Sequence, residues 1–120
     1  MSRCEIVYFK TDRGDEPVRE FVKSLDISSR RKYWHKIDYL RDFGKSLCDP
    51  HAKPLGNGIY ELRFRGSDGH YRILYFFFSS GHAVLTNAFK KKTARTPKRE
   101  IDLAISRMNS FLASPDKYSV

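Results

Sequence analysis

Apolar positions change their spacing several times along this chain, and each change marks an element. Residues 4–10 are rich in β-forming side chains and predict a strand; the polar residues 11–15 predict a turn. Pro17 suits a first helical position, and Val18, Phe21, Val22 and Leu25 follow at helical spacing. A second helix is expected from Asp26 or Ser28, both good caps. Its stripe is Tyr33, Ile37 and Leu40, with Trp34 beside it and Gly44 as its stop. The short link predicts an antiparallel helix pair.

Residues 45–58 hold Pro50, Pro54, Gly56 and Gly58 and read as irregular. Three strands then follow over residues 59–65, 71–78 and 83–89, separated by hairpin-type turns at 66–69 and 79–82. Thr96 and Pro97 open a last helix with Ile101, Ala104, Ile105, Met108 and Leu112 on one face; the polar tail from Ala113 reads as frayed. The order is β-α-α-β-β-β-α in one domain of residues 1–120. Two short turns make the last three strands an antiparallel meander, in an α+β fold whose helices are expected to cover one face of the sheet.

Composition adds a partner class. The 120 residues carry 23 Lys/Arg against 14 Asp/Glu, a formal charge of +9, which favours a polyanion. Nine Phe and seven Tyr set the chain apart from disordered sequences. No apolar run approaches the ~20 residues that span a bilayer, so no membrane partner is expected. The first five residues show no signal-peptide pattern, and Cys4 and Cys48 lack metal-ligand spacing, which points to reduced thiols and the cytoplasm. No metal or cofactor site is expected, since neither ligand spacing nor a Gly-rich phosphate loop occurs.

Alternation along residues 59–65 places the candidate chemistry. Tyr60, Leu62 and Phe64 share one face, expected under the helices; Glu61, Arg63 and Arg65 share the other, ~7 Å apart in succession. Arg72 opens the next strand, with His70 two residues before it. Whether Arg72 faces Arg63 depends on a register that the sequence leaves open. Beyond the third strand, Lys90, Lys91, Lys92, Arg95, Lys98 and Arg99 crowd one acid-free stretch. If these cations converge, the result is a positive, concave surface suited to RNA phosphate, which guanidiniums bind in bidentate fashion. RNA cleavage by its own 2′-hydroxyl needs a base, an acid and positive charge, and none of these requires a metal. Crowding by like charge makes one of Lys90, Lys91 or Lys92 a candidate base. Arg63 and Arg72 suit charge stabilisation, and Arg65, His70, Lys92, Arg95, Lys98 and Arg99 suit RNA contact.

These residues carry a resemblance. The stretch 53–63, the strand start at 71–76, and the segments 89–93 and 96–101 with Ala104 resemble RelE/HigB-type toxins, particularly their phage-derived branch. The resemblance implies the toxin of a type II toxin–antitoxin pair, a ribosome-dependent mRNA endoribonuclease. It would be neutralised by a HigA-like helix-turn-helix antitoxin, with operator DNA reached only through that complex. Arg63 and Arg72 match basic positions tied to activity in the family, and Lys90 or Lys91 matches the basic residue after the third strand. The same fold serves ParE-like toxins that poison DNA gyrase, and the cationic set favours the ribonuclease over them; a non-catalytic RNA- or antitoxin-binding module is a third reading.

Overall fold

The computed structural model describes residues 3–79 and 81–120. Strand β1 (Glu5–Tyr8) is followed by helices α1 (Pro17–Lys23) and α2 (Ile27–Phe43). Strands β2 (Ala52–Gly56), β3 (Ile59–Gly66), β4 (Gly69–Phe78) and β5 (His82–Lys90) come next, and helix α3 (Lys98–Ala113) closes the order. The five strands form one sheet in the order β1-β5-β4-β3-β2, with β2 to β5 an antiparallel meander and β1 parallel to β5. The α+β class and the meander match the sequence reading.

One strand lies where irregular chain was expected. Residues 45–58 contain β2, which pairs Lys53 with Glu61 and Pro54 with Tyr60. A proline is tolerated here because β2 is an edge strand, where an N–H can be missing without breaking a ladder on both sides. Gly44 does end α2, with φ +51.

The helices cover both faces, not one. Side chains alternate along β4: Tyr71, Ile73 and Tyr75 join Val18, Val22, Tyr33, Ile37 and Leu40 of α1 and α2, while Leu74 and Phe76 join Ala104 and Phe111 of α3. β4 and β5 are buried on both sides along most of their length, as near-continuous apolar runs require. Leu62 and Phe64 pack beneath α1 and α2 as expected, with Tyr60 at the margin. On α3 the buried aromatic is Phe111, whereas Leu112 is half exposed.

The tail is docked. Tyr118 is buried, its ring 4.4 Å from that of Phe111, and its hydroxyl accepts the Lys10 N–H at 2.9 Å. Burying such a ring is worth roughly 2 kcal/mol, enough to hold so short a segment. The expected turn at 79–82 falls partly on Ser80, and the reading of the first five residues falls partly on Met1 and Ser2; these three lie outside the described residues.

The other hairpin is pinned closely. At Gly66 an added Cβ would stand 2.5 Å from the Ser29 hydroxyl and 2.7 Å from the Tyr71 ring, so the strand end fits against α2 only without a side chain. Ser29 also accepts the Ser67 N–H at 2.9 Å.

Candidate functional site: a cationic face on β3 and β4

The register that the sequence left open brings Arg63 and Arg72 together. Arg63 pairs directly with Arg72, and Arg65 with His70, across the β3–β4 ladder. Partners across a ladder and residues two apart share a face, so the four basic side chains form a two-by-two block. The block lies on the α3 side of the sheet, toward the β3–β4 turn. Arg65 and His70 are exposed.

Two guanidiniums this close need a counterion, and Glu61 supplies it. Its Oε2 lies 3.0 Å from Arg63 Nε and 3.4 Å from Arg72 Nε; its Oε1 accepts a hydrogen bond from the Thr96 hydroxyl. Glu61 is only 1% exposed, which is tolerable for a carboxylate paired and hydrogen-bonded on both oxygens. Arg72 is itself buried. That burial pushes its guanidinium below the ordinary range, the Glu61 charge opposing and the Arg63 charge adding to the shift, yet an arginine stays protonated. Arg63 keeps 29% of its side chain exposed and reaches Asp49 at 3.4 Å. Of the two, Arg63 is the one that can offer donors to a ligand.

The segment after β5 closes over this centre because α3 is anchored to the sheet by buried polar groups. The Asn87 side-chain amide donates to the Glu100 carbonyl at 3.2 Å and to its carboxylate at 3.0 Å, while Thr86 donates to Asn87 Oδ1 at 2.7 Å. Arg107 donates to the Thr86 carbonyl at 2.8 Å. Thr86 occupies the point where the β4–β5 register shifts, so a bulge turns these groups toward the helix. With the start of α3 held, a cleft of about 270 Å³ opens between Lys53, Leu55, Glu61 and Arg63 on one side and Arg95, Thr96, Lys98 and Ile101 on the other.

The expected cations divide between this face and other places. Arg63, Arg72, Arg65 and His70 share the face, and Arg95 and Lys98 line the cleft. Lys98 is also bonded to Asp102 at 2.8 Å. Lys91 follows directly, its N–H donating to the His70 carbonyl at 2.7 Å. Lys92 and Arg99 are exposed in the connecting segment and the first turn of α3. Lys90 goes elsewhere. It pairs with Tyr71 across the ladder, on the α1 and α2 side, and its ammonium lies 3.2 Å from Asp68, whose other carboxylate oxygen accepts the Tyr71 hydroxyl. Lys53, Asp49 and Thr96 were not singled out as site residues. For Lys53 the usable signal was its register beside Glu61, hidden while residues 45–58 read as irregular.

Among the described residues no group of three His, Cys, Asp or Glu could hold a metal ion, and no helix is long and apolar enough to cross a membrane.

A family model described as "Phage derived protein Gp49-like (DUF891)" matches residues 20–109 of the 120. The chain belongs to this Gp49-like family. The matched span of the Gp49-like chain runs from α1 to within α3 and so contains β3, β4 and the whole cationic face. Two curated relatives, each named "Probable endoribonuclease HigB1", come from Mycobacterium tuberculosis strains CDC 1551 / Oshkosh and ATCC 25618 / H37Rv. Each is 38% identical over 55 residues, covering 46% of this chain and 43% of the relative. The chain thus spans less than half the length of these relatives. Both matches agree with the RelE/HigB-type likeness read from the sequence.

Proposed function

We propose that this Gp49-like protein is the toxin of a toxin–antitoxin pair and an endoribonuclease that cuts mRNA on the ribosome in the cytoplasm. The observation that carries the reading is the pairing of the partly exposed Arg63 with the buried Arg72, beside a cleft lined with further cations. The name of the HigB1 relatives supports ribonuclease activity over gyrase poisoning.

In this reading the RNA's own 2′-hydroxyl attacks the adjacent phosphorus, and the bond to the departing 5′-oxygen breaks. A base takes the hydroxyl proton and an acid returns one to the leaving oxygen. Arg63 grips the phosphate and Arg72 lends fixed charge behind it. Lys53 and Arg95 flank the cleft and offset the charge that builds in the transition state. His70 and Lys91, adjacent at the end of the face, are the acid–base candidates; histidine is the residue type suited to such work near neutrality. Arg65, Lys92, Lys98 and Arg99 guide the flanking backbone. Lys90 holds the β3–β4 turn in shape. The partner is a HigA-like antitoxin that masks this face and carries the complex to operator DNA.

Expression of the chain followed by mapping of mRNA ends tests the proposal. Growth arrest with new ends inside translated messages is expected, relieved by co-expression of the neighbouring antitoxin gene. Arrest with intact mRNA and gyrase-linked DNA breaks would overturn it.

A further inference from the structure

Away from the cationic face, α2 carries an aromatic row that the fold uses only in part: Tyr39 packs against the core, while His35 and Phe43 are exposed. His35, Tyr39 and Phe43 recur every four residues and so line one side of the helix. The His35 ring stacks on Tyr39 with centroids 5.4 Å apart and planes 29° apart, and Phe43 lies 6.5 Å from Tyr39 on its other side. His51, from the turn before β2, leans on the Tyr39 ring at 4.6 Å. Phe43 is 56% exposed and His35 is exposed as well.

Lys32 and Lys36 flank this row on one side, while Asp38 and Asp42 flank it on the other, paired with Arg41 and Arg3. The Lys36 ammonium lies 5.7 Å above the Tyr39 ring and 2.7 Å from His51 Nδ1, to which it donates. Burial first, and Lys36 second, hold the His51 imidazole below its ordinary range, which favours the uncharged ring. Among the described residues no carboxylate lies within ion-pair distance of Lys32 or Lys36. Stacked rings edged on one flank by lysines without ion-pair partners suit a chain that alternates flat bases with phosphates.

The surface also adjoins the strand that carries the proposed site. The His51 carbonyl accepts the Arg63 N–H at 2.9 Å, and Asp49, two residues earlier, reaches the Arg63 guanidinium. RNA leaving the cleft over the β2 edge would meet His51 and Tyr39 next. From this geometry we infer that the His35–Tyr39–Phe43–His51 surface is a stacking platform for an unpaired base of the RNA flanking the scissile phosphate. The inference rests on the ribonuclease reading.

The test uses purified ribosomes programmed with a short mRNA, prepared with an abasic nucleotide at each position flanking the cut in turn. Cutting rates are compared for the full chain, Tyr39→Phe, Tyr39→Ala and the exposed double variant His35→Ala/Phe43→Ala. Effects of the lesion on the ribosome itself cancel in that comparison. One abasic position should slow the unaltered chain and Tyr39→Phe about tenfold. The same lesion should matter less than about twofold to Tyr39→Ala and to the double variant, whose base has already lost its partner. The double variant keeps the test open should Tyr39→Ala fail to fold. An equal penalty in every protein, or none, overturns the platform and leaves the ribonuclease standing. Normal abasic sensitivity with weakened neutralisation by the antitoxin also overturns it, and assigns the surface to the protein partner. Absence of any cutting by the unaltered chain overturns both readings.

Discussion

Arg63 and Arg72 face each other across the β3–β4 ladder and share one carboxylate oxygen of Glu61, at 3.0 and 3.4 Å. Each guanidinium raises the cost of the other, and the buried carboxylate between them makes the pair tolerable. Glu61→Gln keeps the shape and removes the charge. It should destabilise the fold by about 3 kcal/mol, the lower end for an uncompensated buried ion, because Arg63 can still turn to Asp49 and water. Urea unfolding measures this; a change below about 0.5 kcal/mol would mean that the carboxylate does not hold the pair.

The two arginines should separate by stability and not by activity. Charge removal at an exposed position is expected to leave folding nearly unchanged. The structure alters that expectation for Arg72, which is buried against Glu61. Arg72→Ala should cost about 2–3 kcal/mol, and Arg63→Ala less than about 1 kcal/mol. Each should lower RNA cutting by about 100-fold, as loss of one charge-stabilising donor does. Cutting assays on protein shown to be folded by circular dichroism check both halves.

Lys53 and Lys90 make a contrasting pair. Lys53→Ala removes a cation lining the cleft and should slow cutting about tenfold, the value of one charge-assisted hydrogen bond. Lys90→Ala acts on the far side of the hairpin and should change cutting less than about twofold while loosening the turn. The reverse order of effects would return the role of base to Lys90.

The turn carries a pH signature. The Asp68 carboxylate accepts the Tyr71 hydroxyl and, with burial adding to it, pushes the phenol up to about 12. A phenol raised above its unfolded value near 10 contributes stability that is whole below pH ~10 and lost as pH climbs toward 12. Tyr71→Phe should flatten the fall in stability over that window. An unchanged slope in urea titrations would count against the Tyr71–Asp68 bond.

Much of this was legible in the sequence for physical reasons. Period-two alternation along β3 separated Leu62 and Phe64 from Glu61 and Arg63 before any coordinates. The start of α1 at Pro17, the stop at Gly44 and the aromatic run of β4 read equally directly. Four things did not. β2 hid behind Pro54 and Gly56, residues that an edge strand accepts and a central one refuses. The side of the sheet that α3 takes depends on a crossover that amphipathicity alone does not orient, and the burial of Phe111 in place of Leu112 followed from it. The diversion of Lys90 to Asp68 required the register of β5 against β4, which is fixed by a bulge at Thr86 and not by pattern. Burial of Glu61 was invisible for a related reason: its cover is Thr96, thirty-five residues away.

The central claim is that cations on the β3–β4 face stabilise attack by the RNA's own 2′-hydroxyl. The most direct measurement is cutting, by the purified chain on programmed ribosomes, of an mRNA carrying a single 2′-deoxynucleotide at the mapped cut site. The account predicts that the all-ribose message is cut, that the deoxy substitution abolishes that one cut, and that Arg63→Ala leaves even the all-ribose message nearly intact. Undiminished cutting at the deoxy position, or by Arg63→Ala, would contradict it.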